Sequence, residues 1–90
     1  MFLKGILGKE IIKRSEQSFS LNGMINPTFQ NVGTSPVMVD GRILESGDTF
    51  YMDCPNVILT NAISIQFTGT SAQSKLLYCH FVRLEEKEGC

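Results

Sequence analysis

The chain of 90 residues has no tryptophan, one histidine, three prolines and three cysteines. A single histidine, His80, excludes a multi-histidine metal site built from one copy. The odd cysteine count excludes complete pairing of Cys54, Cys79 and Cys90 within the chain; with no secretory leader in view, free thiols in a reducing compartment are expected. Long apolar runs are also missing. Met1-Phe2-Leu3-Lys4-Gly5-Ile6-Leu7-Gly8 is interrupted by Lys4 and gives way to Lys9-Glu10, too soon for a membrane span. The formal net charge of -1 supplies no general attraction for a polyanion, and Phe50, Tyr51, Phe67, Tyr78 and Phe81 are not interleaved with a basic track. No nucleic-acid partner is therefore expected.

Catalytic and metal patterns are equally sparse. Cys79 and His80 are adjacent, and neighbours in a strand point to opposite faces, so they cannot form a thiol-imidazole dyad. Cys54 reads as a buried structural thiol rather than a nucleophile. Asp40, Asp48 and Asp53 fall at turns or strand ends without the dense acidic spacing of a calcium loop. Gly33, Gly41, Gly47 and Gly69 sit at turns rather than between a strand and a helix, which argues against a phosphate cradle. The expectation is a protein that is not an enzyme and holds no cofactor or metal.

What the sequence does have is turn chemistry spaced between short apolar runs. Asp40-Gly41, between Val37-Met38-Val39 and Arg42-Ile43-Leu44, is a strong hairpin signal because a type I′ turn needs positive φ at both central residues. It sets Val37 opposite Leu44, Met38 opposite Ile43 and Val39 opposite Arg42. Further strands are expected over residues 17–21, 28–32, 49–53, 57–60, 62–68 and 75–84. The clearest alternation is Ile63, Ile65 and Phe67 inward against Ser64, Gln66 and Thr68 outward. Asn22-Gly23, Asn26-Pro27 and Glu45-Ser46-Gly47-Asp48 read as turns or breaks.

These elements define an all-β protein, a small antiparallel β-sandwich or jelly-roll-like barrel, over residues 15–86. Residues 87–90 read as a flexible tail. Residues 1–14 read as an N-terminal arm or short helix, since Leu3, Leu7 and Ile11 share a helical face although Gly5 and Gly8 each cost about 1 kcal/mol there.

Two strands are apolar on both sides. In the last, Leu77, Cys79 and Phe81 oppose Leu76, Tyr78, His80, Val82 and Leu84; in the hairpin, Met38 and Ile43 form a second apolar face. A sandwich core uses one face of each, so the other is expected to meet either the N-terminal arm or another protein. The candidate partner interface comprises Phe2, Leu3, Ile6, Leu7, Met38, Ile43, Leu76, Tyr78, His80 and Val82. A different reading, a small ligand- or carbohydrate-binding module, would place a pocket among the loops at 22–26, 31–35 and 69–74.

Asn31-Val32-Gly33, Val37-Met38-Val39-Asp40-Gly41 and Leu44-Glu45-Ser46-Gly47-Asp48-Thr49-Phe50 together resemble a phrase of small β-sandwich structural proteins of tailed-phage particles. The resemblance implies a capsid decoration or auxiliary protein, or a head-tail connector or tail component. Such a protein docks in many copies on a major capsid or other virion protein, bridges neighbouring subunits, and forms homo-oligomers, with trimers favoured. It also implies residence in the virion after assembly in the host cytoplasm. Similar phrases occur in cupin-like domains, whose metal chemistry needs several histidines.

Overall fold

Asp40 and Gly41 have φ of +50° and +82°, both positive as a type I′ turn requires. The computed structural model describes residues 4–85, and the Asp40-Gly41 turn lies at the apex of everything it contains. Eight strands follow one another: β1 (Gly5–Ile12), β2 (Glu16–Ser20), β3 (Ile25–Asn31), β4 (Val37–Val39), β5 (Arg42–Leu44), β6 (Thr49–Tyr51), β7 (Ala62–Phe67) and β8 (Leu77–Leu84). β4 pairs with β5, β3 with β6, β2 with β7 and β1 with β8, all antiparallel. The chain is thus one long ribbon closed by the Asp40-Gly41 turn.

The ribbon then folds on itself through two more antiparallel pairings, β3 with β8 and β4 with β7. Two four-stranded sheets result, β1-β8-β3-β6 (sheet A) and β2-β7-β4-β5 (sheet B). This is the strand order of the eight-stranded jelly roll, so the all-β sandwich expected from the sequence is the fold observed. Every connection except the apex turn passes from one sheet to the other.

The core lies between the sheets and follows the period-2 pattern. Ile63, Ile65 and Phe67 of β7 are buried, as are Val37, Val39 and Leu44 of the hairpin and Leu77, Cys79 and Phe81 of β8. Phe29 is fully enclosed, with Phe19 edge-on at 6.1 Å and Phe50 stacked at 6.5 Å between ring centroids. The hairpin register is the one read from the sequence: Val37 faces Leu44, Met38 faces Ile43 and Val39 faces Arg42.

Three expectations need correction. Residues 5–12, read as part of an arm or short helix, are strand β1, paired with β8 from Gly5–Leu84 to Ile12–Leu77. Its glycines receive neighbours: a Cβ on Gly8 would run into the Phe81 ring, and one on Gly5 would lie 2.9 Å from Val82 Cγ1. The sandwich therefore starts before residue 15. Asn26-Pro27, read as a break, is an irregularity inside β3, where Asn26 takes φ +53°. Asn tolerates that region, and proline is accommodated where the ladder is already interrupted. Residues 57–60 make no strand, only the bridge between Ile25 and Ile58 and main-chain bonds that join Leu59 to Gly23 and Met24. The proposed tail at 87–90 lies outside the described residues.

One end of the sandwich is held by Asn31, whose side chain is fully buried. Its Nδ2 donates to the carbonyls of Ser35 (3.0 Å) and Leu44 (2.9 Å), and its Oδ1 accepts from the Gly33 N–H (3.2 Å). Its main-chain N–H donates to Asp48 O at 2.9 Å, and its carbonyl accepts from Gly47 N at 2.8 Å. One residue thereby joins β3, the crossover to β4, the end of β5 and the turn into β6. Around it, Ser46 Oγ donates to Gly33 O (2.7 Å), and Ser35 Oγ accepts from Gly69 N (3.1 Å).

Asn31→Ala strips hydrogen-bond partners from buried carbonyls and should destabilise the fold by about 2–4 kcal/mol. Asn31→Asp, which keeps the shape but faces a carboxylate toward two carbonyl oxygens, should cost at least as much at neutral pH. Urea unfolding midpoints measure both, with Thr34→Ala at the exposed Thr34–Ser74 hydroxyl pair as a control expected to change by less than about 1 kcal/mol.

Candidate docking surface

The outer face of sheet A is assembled row by row from strand register. In one row Lys9 of β1, His80 of β8, Thr28 of β3 and Tyr51 of β6 stand side by side; in the next, Ile11, Tyr78, Gln30 and Thr49 do so. Leu7 stands opposite Val82 in a third. Directly opposed residues share a face, so Leu7, Ile11, Tyr51, Tyr78, His80 and Val82 share this one. Leu7 is 86% exposed, Tyr51 69% and Ile11 50%.

The polar groups on this face lie against its aromatics. Lys9 Nζ sits 5.3 Å from the Tyr78 ring centre, and the His80 ring meets Tyr78 edge-on at 6.1 Å. Cation-π contacts of this kind contribute about 0.5–1 kcal/mol at exposed sites. Beside them, Leu7, Gly8, Asn26, Thr28, His80 and Val82 border a shallow depression of about 230 Å³.

The structure divides the residues proposed as an interface. Leu7, Tyr78, His80 and Val82 come together on the outer face of sheet A, with Leu76 half-buried just before β8. Ile6 points to the other side of β1 and lies at the sandwich margin with Gly23, Ile58 and Arg83. Met38 and Ile43 lie on the outer face of sheet B, Ile43 61% exposed and Met38 flanked by Gln66. β1 belongs to the opposite sheet, so it does not cover the Met38–Ile43 face. Phe2 and Leu3 lie outside the described residues.

Ile11 and Tyr51 are additions the sequence reading missed. Ile11 was visible through its even spacing from Leu7, which puts both on one side of a strand. Tyr51 carries no local signal, because its place depends on β6 pairing with β3 at the far edge of the sheet. Arg42 and Arg83 lie over the rings of Phe50 and Phe81, each at 4.9 Å.

Chemically reactive groups are kept apart. Cys79 is buried in the core, whereas His80 is exposed on the outer face. Burial above all, and then the Glu10 carboxylate opposite it, pushes the Cys79 thiol up from 9.0 to about 12. Cys54 is half-buried rather than buried, and its N–H donates to Asn26 Oδ1 at 3.0 Å. Among the described residues no group of three His, Cys, Asp or Glu is placed to hold a metal ion.

The loops that a ligand-binding module would use do not converge. Residues 31–35 and 69–74 lie together at the Asn31 end, where Thr34 and Ser74 exchange hydrogen bonds and a Cβ on Gly33 would come within 2.5 Å of Ser74 O. The 22–26 segment is at the opposite end, where Arg83 Nη1 donates to Asn22 O at 3.2 Å. Comparison of the chain with family models, curated proteins and solved structures gave no match.

In a Cys90→Ser background, a neutral-pH thiol reagent should modify Cys54 first and Cys79 only after denaturation. Because the folded pKa of Cys79 is raised, its contribution to stability is complete below pH 9 and is lost as pH rises toward 12. Cys79→Ala should flatten the fall in unfolding free energy over that alkaline window.

Proposed function

We propose that this chain is a non-enzymatic structural protein of a phage particle, a capsid decoration or auxiliary protein that docks on major shell subunits and bridges them. A head-tail connector or tail component is the neighbouring reading. The observation that carries the proposal is the outer face of sheet A, where Leu7, Ile11, Tyr51 and Tyr78 present apolar and aromatic surface around Lys9 and His80. Aromatic anchors within a polar setting are the composition of protein-protein interfaces.

Two further points support the reading. The eight-stranded jelly roll recurs in viral shell proteins as well as in lectins and cupins; fold alone leaves that choice open, and the resemblance over residues 31–50 favours the first. Each apolar contact contributes only about 25 cal/mol per Å² buried, but a shell repeats it at many symmetric positions. Reinforcement of this kind uses docking surface and requires no cofactor. The chain would enter the virion during assembly in the host cytoplasm.

Immunolabelling of particles banded from the source's lysate should place the chain on them in many copies. Recombinant chain should rebind particles stripped of it, and Tyr51→Ala and Tyr78→Ala should each weaken rebinding about tenfold while the far-ultraviolet spectrum stays that of the folded protein. A chain missing from purified particles, or rebinding indifferent to both substitutions, would contradict the proposal.

A further inference from the structure

β1 is an edge strand eight residues long, and among the described residues nothing pairs with its outer side. The Glu85 N–H donates to Lys4 O at 2.9 Å, which points the main chain of Lys4 toward β8. Main-chain groups alternate along an antiparallel strand. Ile6, Gly8, Glu10 and Ile12 therefore also turn toward β8, while the N–H and C=O groups of Gly5, Leu7, Lys9 and Ile11 turn to the open edge. An edge this long, with exposed Leu7 and Ile11, is a template for another strand.

We propose that a second copy of this chain occupies that edge, pairing β1 with β1 antiparallel about a twofold axis through Leu7, so that the two A sheets become one continuous sheet. Among registers centred on residues 7–10, the charges along β1 favour this one. In a twofold antiparallel pair one residue faces its own copy. Centring on Lys9 or Glu10 sets like charges face to face, and centring on Gly8 opposes Leu7 with Lys9 and Ile6 with Glu10.

Centring on Leu7 instead sets Leu7 against Leu7, Gly5 against Lys9, Ile6 against Gly8, and Lys4 against Glu10 on both sides of the axis. Every charge then meets an opposite charge or a glycine. The narrow pairs fall at Gly5–Lys9 and Leu7–Leu7, the positions whose main-chain groups face outward. Such a contact is isologous and closes as a dimer, where the phage-protein resemblance implied trimers. It also joins the Leu7–Val82 rows of two copies into a wider apolar face. The pairing rests on the edge alone and holds or fails independently of the particle reading.

Light scattering coupled to size-exclusion chromatography should give twice the chain's 10.0 kDa. Leu7→Pro should give a folded monomer, because the lost N–H points to the open edge; Leu7→Lys, which leaves the main chain intact, should do the same by placing like charges together. Lys4→Glu and Glu10→Lys should each weaken dimerisation about tenfold, and the double exchange should restore it. A wild-type monomer or trimer, a dimer untouched by both Leu7 substitutions, or failure of the double exchange to rescue would overturn the proposal.

Discussion

The Asn31 amide is the interaction on which the architecture turns. A jelly roll asks a ribbon to leave one sheet and enter the other repeatedly, and each crossing strands main-chain groups that no ladder can satisfy. At the first crossing on either side of the hairpin, one buried side chain meets the Ser35 and Leu44 carbonyls and the Gly33 N–H, while its own main chain bonds Asp48 and Gly47. The end of the sandwich at the base of the hairpin is thereby locked, and Gly33 and Gly69 leave no room there for an added Cβ. The lock and the proposed contact surface are separated in space: the loop end at Asn31 holds the fold, and the outer face and edge of sheet A lie away from it.

That placement is itself a consequence of strand order. β8 is an interior strand of sheet A, between β1 and β3, so its inward face is committed to the core and its outward face forms the centre of an open sheet. β1 then adds an edge beside that face. The proposed docking face and the proposed self-pairing edge lie on the same sheet, and neither would need a reacting group.

The hairpin and β7 were legible in the sequence because a two-residue Asp-Gly loop fixes register and because Ile63, Ile65 and Phe67 alternate without exception. β1 was not, for a specific reason: the spacing of four between Leu3, Leu7 and Ile11 fits one side of a helix and one side of a strand equally. Gly5 and Gly8, counted as helix penalties, are places where Val82 and Phe81 lean over the backbone. For the candidate face, the alternation in β8 identified Tyr78, His80 and Val82, but pairing between distant strands was needed to add Tyr51 and to send Met38 and Ile43 to the other sheet. Nothing local distinguishes Asn31, enclosed with its amide hydrogen-bonded at both ends, from the exposed Asn22, Asn56 and Asn61.

The central claim is that the free edge of β1 and the face beside it are contact surface. Residue-resolved amide hydrogen exchange on the folded chain, measured across a range of protein concentrations, addresses it most directly. The account predicts that the outward-facing amides of Gly5, Leu7 and Lys9 become protected as concentration rises, while those of Ile6, Gly8 and Glu10, already bonded to β8, are protected throughout. Rapid exchange at Gly5, Leu7 and Lys9 that does not change with concentration would contradict it.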